Sequence, residues 1–197
     1  TGIVDTMVHV FEQYLTRDTN NPICDAIAEA VLKTVIHNGR LALDSPRDYS
    51  GRANLMWAST MALNGLIGAG AAQDWTSHMI GHELTAFHGL DHGQTLAIVS
   101  PSVLRYRKDA KMAKLAKYAR NVWNIAEPDE RRAAGLAVDR TEEFWNSIGA
   151  RTKLSDYGVG DENFARIAEN LCGSGNKLGE NRDTGKDDVI NILRMSL

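Results

Sequence analysis

The sequence predicts an all-α fold, and three observations lead to that prediction. Apolar residues recur mostly at three-and-four spacing, the period of one face of an α-helix. Strict alternation of apolar and polar residues over the length of a strand is hard to find. Short segments containing Gly, Pro or Asn, which are typical of helix ends, separate the apolar stripes. We therefore expect a multi-helix domain without a sheet.

The first two helices are predicted from apolar stripes that begin almost at the start of the chain. Residues 4–15 form the first stripe, and the polar run 18–22 ends it. The second stripe covers residues 23–35, and Asn38 with Gly39 predicts a left-handed C-terminal stop directly afterwards. His37 stands beside this stop, so we interpret it as a favourable partner of the helix C-terminus.

Three further helices are predicted on either side of a segment punctuated by glycines. One runs from near Asp48 to Leu66, and the next covers residues 74–86. Residues 87–93 contain too much glycine to continue that helix, and a new apolar stripe resumes at 96–104. The pattern predicts a loop that delivers His92 to the start of the next helix.

The C-terminal half is predicted to contain four more helices. The last of them has a start resembling a capping box, with Thr184 followed three residues later by Asp187. The glycine-rich segment 173–179 does not open a βαβ unit, so we interpret it as a surface loop. The four helices are expected at 109–123, 129–148, 161–172 and 186–195.

Composition narrows the class of protein and its partners. The formal net charge of −3 gives no basic field for a phosphate backbone, so nucleic acid is not an expected partner. Cys24 and Cys172 lie far apart in apolar helical stretches, which suits reduced core thiols and a cytoplasmic location. No stretch is apolar for long enough to cross a bilayer, so we expect no membrane association.

The chain is interpreted as one domain, residues 1–197, without an internal repeat or a linker. Its start lacks a basic region followed by an apolar signal core. It also lacks Met, and a helical pattern begins almost at once, so we expect that the sequence is part of a longer protein.

Two pairs of side chains at helical spacing suggest a metal site. Asp5 and His9 are four residues apart, which places both on one face of the first helix. His78 and His82 repeat this spacing, and His92 follows after the glycine-rich turn. One carboxylate with two or three imidazoles can hold a divalent first-row cation and leave a coordination position open for a substrate. A surface ion pair and ordinary packed histidines are the simpler alternatives.

Three alternative functions each require a different sequence feature. A zinc-protease helix needs His-Glu-x-x-His, and the residue three positions beyond Glu83 is Ala86. A helical metal-dependent phosphohydrolase would carry an adjacent His-Asp pair, which the sequence lacks. A helical interaction module without catalysis is still open, and it predicts a folded protein without a stoichiometric ion. His88 is interpreted as a polar loop residue.

At these residues the sequence resembles a known family. The runs Gly81–Ala86 and His88–Ala97, the spacing of fourteen residues from His78 to His92, and the pair Asp5 and His9 are similar to the metal signature of the iron-dependent alcohol dehydrogenases. Residues 114–125 extend the similarity, which is nearest to the NADPH-dependent aldehyde reductase and butanol dehydrogenase branch. The resemblance implies the C-terminal, helical domain of the dehydroquinate synthase-like, iron-type alcohol dehydrogenase fold.

The resemblance also implies a site and a reaction. Asp5, His9, His78 and His92 would bind one Fe²⁺ or Zn²⁺, while His82 would lie beside the nicotinamide and the substrate as a catalytic and cofactor-binding residue. The reaction would be hydride transfer between NADP(H) and a short aldehyde or alcohol. It would require an N-terminal nucleotide-binding domain, and no strand followed by a phosphate-binding glycine loop is visible here. The choice between NADPH and NADH and the oligomeric state, with a homodimer as one alternative, stay open.

Overall fold

The computed structural model describes all residues 1–197 and contains no β-strand. Its only bridge pairing is an isolated one between Leu178 and Thr184. The predicted all-α fold is therefore confirmed. The elements are α1 (Gly2–Tyr14), α2 (Pro22–Asp44), α3 (Tyr49–Ala62), α4 (Thr76–His88), α5 (His92–Tyr106), α6 (Met112–Asn121), α7 (Glu130–Ser147), a short 3₁₀ helix (Leu154–Tyr157), α8 (Phe164–Cys172) and α9 (Lys186–Met195).

Side-chain caps explain why several helices begin where they do. Asn21 caps α2 and is followed by Pro22, whose missing N–H costs nothing in the first turn. The carboxylate of Asp48 accepts the N–H of Gly51 at 2.7 Å, and that of Asp129 accepts the N–H of Arg132 at 2.8 Å. Each cap satisfies a donor that the first helical turn leaves unpaired.

We expect Asp129→Ala to lower the free energy of unfolding by about 1 kcal/mol, because it removes the carboxylate that accepts the Arg132 N–H in the first turn of α7. Urea denaturation followed by circular dichroism measures the change. Glu143→Ala in the same helix is the control, since its partner Arg140 is exposed and such a change usually stays within about 0.5 kcal/mol. Equal losses from both variants would contradict the capping role.

Two hydrophobic cores meet along α5. The larger core contains the buried faces of α1, α2, α3, α6 and α7, and the smaller one those of α4, α8 and α9. On α5, Leu96 and Leu104 belong to the larger core, while Ile98 and Val99 belong to the smaller one. The start of α5 therefore lies close to both α1 and α4, the helices that carry the other predicted ligands.

Helix α2 differs from the sequence prediction in its C-terminal end and in the position of His37. Asn38 and Gly39 do not end it, because the helix continues to Asp44. Both residues are buried, and the Asn38 amide donates to the Thr34 carbonyl at 2.8 Å, so tertiary packing overrides the local stop signal. His37 consequently lies in the helix interior with an exposed side chain, and its predicted interaction with a helix end is wrong.

Several other boundaries differ from the sequence prediction, and α6 and α8 each begin three residues later than expected, at Met112 and Phe164. Helix α3 ends at Ala62, four residues before the expected Leu66. Helix α4 extends through His88, so the connection to α5 is only residues 89–91 and His88 is not a loop residue. The N-cap of α9 is Gly185 and not Thr184, since the Asp188 carboxylate accepts the Gly185 N–H at 2.7 Å.

The start of α5 and the state of the two cysteines agree with the sequence prediction. His92 is the first residue of α5, as the interrupted apolar pattern predicted. Cys24 and Cys172 are free and buried. None of the helices combines the length and the apolar character that a bilayer-spanning segment needs.

Candidate metal centre

Helix α1 contributes a carboxylate and an imidazole to the candidate site. Asp5 and His9 are one turn apart, and Asp5 Oδ1 lies 3.4 Å from His9 Nε2. The opposite side of α1 is buried in the larger core, with Val4, Met7 and Phe11 almost fully covered. Burial of that apolar face fixes the rotation of the helix and directs the polar pair toward α4 and α5.

Helices α4 and α5 bring two more imidazoles to the same point. His78 Nε2 lies 3.3 Å from His9 Nε2 and 3.9 Å from Asp5 Oδ1. His92 Nε2, at the start of α5, lies 3.5 Å from Asp5 Oδ1. The ligand atoms of Asp5, His78 and His92 thus all lie within 4.8 Å of one another. His9 adjoins two of them, Asp5 and His78, although His78 is 69 positions away in the chain.

The spacing of these atoms fits one small cation. Ligand atoms about 2.1 Å from a shared zinc or iron ion, in tetrahedral directions, lie about 3.4 Å from one another. Four of the six separations run from 3.3 to 3.9 Å, and His9 lies outside the group of three whose atoms are all within 4.8 Å of one another. Asp5 Oδ1, which takes part in three of them, is buried and accepts no hydrogen bond. An oxygen in that position is costly unless a cation or another donor satisfies it.

The electrostatics favour neutral imidazoles at this point. Burial lowers the pKa of His9, and the neighbouring His78 lowers it further against the opposing effect of Asp5. Burial likewise lowers the pKa of His92, with Asp5 opposing the shift. A neutral imidazole keeps a lone pair on one ring nitrogen, so these side chains are prepared to coordinate rather than to repel a cation.

Sequence reasoning missed Glu12, whose carboxylate contacts the far side of the His78 ring. Glu12 Oε1 accepts the backbone N–H of Ser77 at 2.5 Å, and Oε2 is bonded to His78 Nδ1. Burial raises the pKa of Glu12, while the hydrogen bond with His78 opposes that shift. A signal was available, because Glu12 is a charged residue beside Phe11 in an apolar helix and lies one turn after His9.

Sequence reasoning also missed Trp75, the residue before α4. Its backbone is left-handed, with φ of 62°, which is unfavourable for a bulky aromatic residue. The indole lies edge-on to two imidazoles, with ring centroids 5.7 Å from His9 and 5.2 Å from His78. Trp75 therefore forms one wall of the site, and no pattern in the sequence marks a left-handed tryptophan.

Two other histidines of α4 do not join the cluster. The ring of His82 is exposed, with its centroid 5.1 Å from that of His92 and 6.2 Å from that of His78. It flanks the open side of the cluster. His88 is the last residue of α4, and its Nε2 is buried without a hydrogen-bond partner. It has no contact with the four predicted ligands among the hydrogen bonds and ion pairs of the structure.

Gly81 allows α4 and α5 to approach closely beside the cluster. A β-carbon at this position would lie 2.9 Å from Thr95 Oγ1 and 3.4 Å from Leu96 Cδ2. Thr95 is fully buried, and its hydroxyl donates to the His92 carbonyl at 2.8 Å. The side chain that an added methyl group would displace is therefore connected directly to a predicted ligand.

We expect Gly81→Ala to lower the free energy of unfolding by about 1–3 kcal/mol, because overpacking moves the buried Thr95. Gly135→Ala is the matched control: it also lies inside a helix, nothing lies within 4 Å of its added β-carbon, and it should gain about 0.5–1 kcal/mol. Chemical denaturation of both variants gives the two values. A gain from Gly81→Ala would show that the helices are not in close contact there.

The helices and the convergent side chains define an all-α protein with a candidate mononuclear metal centre made of one carboxylate and three imidazoles. The whole chain, residues 1–197, matches the family described as Fe-containing alcohol dehydrogenase, C-terminal. The chain belongs to this family and corresponds to its C-terminal part, as the resemblance in the sequence indicated.

Individual relatives agree with this assignment. The chain is 48% identical to the NADPH-dependent aldehyde reductase YqhD of Escherichia coli, over 94% of this chain and 48% of that protein. It is 37% identical to the NADH-dependent butanol dehydrogenase A of Clostridium acetobutylicum, over 99% of this chain and 51% of that protein. The substrate- and cofactor-free structure of E. coli YqhD matches with a TM-score of 0.96, covering 100% of this chain and 52% of the other. The chain thus spans about half the length of these relatives.

Proposed function

We propose that this chain is the metal-binding catalytic half of an NAD(P)H-dependent alcohol dehydrogenase or aldehyde reductase. In this proposal Asp5, His9, His78 and His92 hold one Fe²⁺ or Zn²⁺, and the substrate is a short aldehyde or primary alcohol. The observation that carries the proposal is the buried, unpaired Asp5 Oδ1 with imidazole nitrogens 3.4, 3.5 and 3.9 Å away. The names of the relatives supply the reaction class.

The site residues have distinct roles in the proposed reaction. When bound, the cation supplies Lewis-acid polarisation of the substrate oxygen. Asp5 contributes the negative charge that helps to retain the cation, and the three imidazoles hold it at the junction of α1, α4 and α5. Trp75 covers one side of His9 and His78 and limits access of water there.

His82 is proposed to contact the nicotinamide or to carry a proton between the substrate oxygen and solvent. Its ring is exposed and lies next to His92 while making no ion pair with Asp5. An exposed imidazole can both accept and donate a proton, so it is suited to such proton transfer. The other wall of the site would come from an N-terminal nucleotide-binding domain, which is part of the proposal together with a cytoplasmic location.

Anomalous diffraction at the iron and zinc absorption edges tests the metal site. The expected result is one peak within bonding distance of Asp5, His9, His78 and His92, and its edge identifies the element. No peak after reconstitution with either metal would overturn the proposal. A peak held by a different set of side chains would refute the ligand assignment.

Activity is tested in the full-length protein that contains this chain. NADPH and NADH oxidation with butanal should depend on the cation, and His82→Ala should lower turnover while the metal content stays unchanged. Absence of aldehyde-dependent oxidation in a metal-loaded full-length protein would exclude the dehydrogenase reaction. Loss of metal from His82→Ala would place His82 among the ligands and contradict its proposed role.

A further inference from the structure

A buried carboxylate joins two of the three helices that carry the candidate ligands. Glu12 is only 4% exposed and projects from α1 toward the first turn of α4. Each of its oxygens contacts one group of α4, the backbone N–H of Ser77 at 2.5 Å and the Nδ1 of His78. Burying a carboxylate is costly unless both oxygens are paired, so this arrangement is satisfied only while α1 and α4 keep this register.

The two contacts decide which nitrogen of His78 carries the proton. The backbone N–H of Ser77 can only donate, and an ionised carboxylate can only accept. With both oxygens accepting, Nδ1 of the neutral imidazole is protonated and Nε2 keeps its lone pair. That Nε2 is the atom 3.3 Å from His9 Nε2 and 3.9 Å from Asp5 Oδ1, so the lone pair belongs to the nitrogen that faces the other ligands.

His78 differs in this respect from its neighbour on α1. The Nδ1 of His9 is buried without a hydrogen-bond partner, so no protein group fixes the outer side of its ring. His78 is also the more buried of the two, with 7% of its side chain exposed compared with 18% for His9. The ring of His78 is therefore held more firmly than the ring of His9.

We propose that Glu12 is a positioning residue of the metal centre, whose carboxylate holds His78 with Nε2 unprotonated and directed at the cation. The proposal rests on the proposed metal site. A carboxylate on the outer nitrogen of a ligating histidine fixes ring orientation and raises ligand basicity, and removing one typically costs about 10–100-fold in metal affinity. Glu12 acts only through His78 and has no contact with the substrate.

The isosteric variant Glu12→Gln separates this role from simple packing. A glutamine side chain has one accepting oxygen and one donating amide group, so it cannot accept from both Ser77 and His78. Because the Ser77 N–H cannot reverse, the amide group turns toward Nδ1 and favours the tautomer with a proton on Nε2. That proton occupies the direction in which the cation should bind. Glu12→Asp keeps two accepting oxygens and should retain the original tautomer.

The experiment measures both the tautomer and the affinity. Long-range ¹H–¹⁵N NMR of the metal-free, ¹⁵N-labelled chain reports the protonated nitrogen of His78, and competition with a chelator gives the zinc dissociation constant. We expect Nδ1–H in the wild type and in Glu12→Asp. In Glu12→Gln we expect Nε2–H and zinc binding that is about 10–100-fold weaker.

Gln13→Leu is the control for a purely structural effect. Gln13 is also buried on α1, and its amide donates to the Ala62 carbonyl at 2.8 Å. It should lose stability without changing the His78 tautomer. Unchanged zinc affinity or retained Nδ1–H in Glu12→Gln would overturn the proposal. If the wild type itself binds neither zinc nor iron, the proposed function fails, whereas the tautomer of the metal-free chain still tests the Glu12 contact.

Discussion

His78→Ala is expected to abolish retention of the metal ion. His78 is the most buried of the four predicted ligands, and its Nε2 lies within 3.9 Å of ligand atoms from both Asp5 and His9. Its loss removes one ligand and leaves Glu12 buried without its imidazole partner. Because loss of an outer partner alone costs about 10–100-fold, we expect the affinity to fall by more than about 100-fold. Metal content after gel filtration and zinc titration of the apoprotein measure the change.

His88→Ala is the matched control for this variant. It lies on the same helix, ten positions later, and makes no contact with the predicted ligands. It should bind the metal as the wild type does, and circular dichroism should show both variants folded. Equal loss of metal from the two variants would show that the assignment of roles is wrong. Full retention in His78→Ala would remove His78 from the metal site.

The sequence predicted those features of the fold that depend on local patterns. The apolar period located all nine helices, and Asp48 and Asp129 were correctly placed at helix starts. The interrupted pattern after α4 correctly placed His92 at the start of α5. In each of these places the local preference agrees with the tertiary structure, so neither competes with the other.

The sequence failed where tertiary contacts outweigh local preference. Asn38 and Gly39 form a strong stop signal, yet burial of both keeps α2 helical to Asp44. Thr184 is an acceptable N-cap, but its backbone pairs with Leu178, and the cap position moves to Gly185. Such competition is decided by groups distant in the sequence, which no local pattern reports.

In the candidate site too, the sequence predicted the local features and missed a contact that depends on tertiary packing. Spacing alone places Asp5 with His9 and His78 with His82, because each pair shares a helical face. Only the family resemblance predicted that His78 would meet Asp5 and His9, because their convergence depends on how α1 packs against α4. The outer contact of Glu12 was not predicted, because it depends on side-chain direction across two helices.

A buried ion network beside the site holds the start of α4 and the end of α1 together. Lys111, whose side chain is 2% exposed, contacts Asp74 at 2.6 Å, Glu180 at 3.0 Å and the Leu15 carbonyl at 2.8 Å. Burial raises the pKa of Asp74, but the Lys111 ammonium and hydrogen bonds from Glu180 and Thr76 outweigh it and lower the pKa to about 2. Burial and the proximity of Asp74 raise the pKa of Glu180. One ammonium thus compensates two carboxyl groups.

Lys111→Met should lower the free energy of unfolding by about 3–5 kcal/mol at neutral pH, because it leaves buried carboxylates without their cation. The loss should be smaller at pH 5. Without the ammonium, burial and mutual repulsion raise the folded-state pKa values of Asp74 and Glu180 above their unfolded values. The folded state then binds more protons than the unfolded state, so stability falls as pH rises. In the wild type the lowered pKa of Asp74 has the opposite effect on stability. It stabilises the folded state at neutral pH, and this contribution is lost as the pH falls from 3.8 toward 2.

Urea denaturation of both proteins at pH 5 and pH 8 measures this difference. Lys117→Met is the control in α6, which begins directly after Lys111. Lys117 is 40% exposed, and its partner Asp25 is still paired with Lys114 at 2.7 Å. It should cost less than about 1 kcal/mol at either pH. If Lys111→Met were as stable at pH 8 as at pH 5, the two carboxyl groups would not depend on Lys111. The network would then be a consequence of the packing of α1, α4 and α6 and not one of its causes.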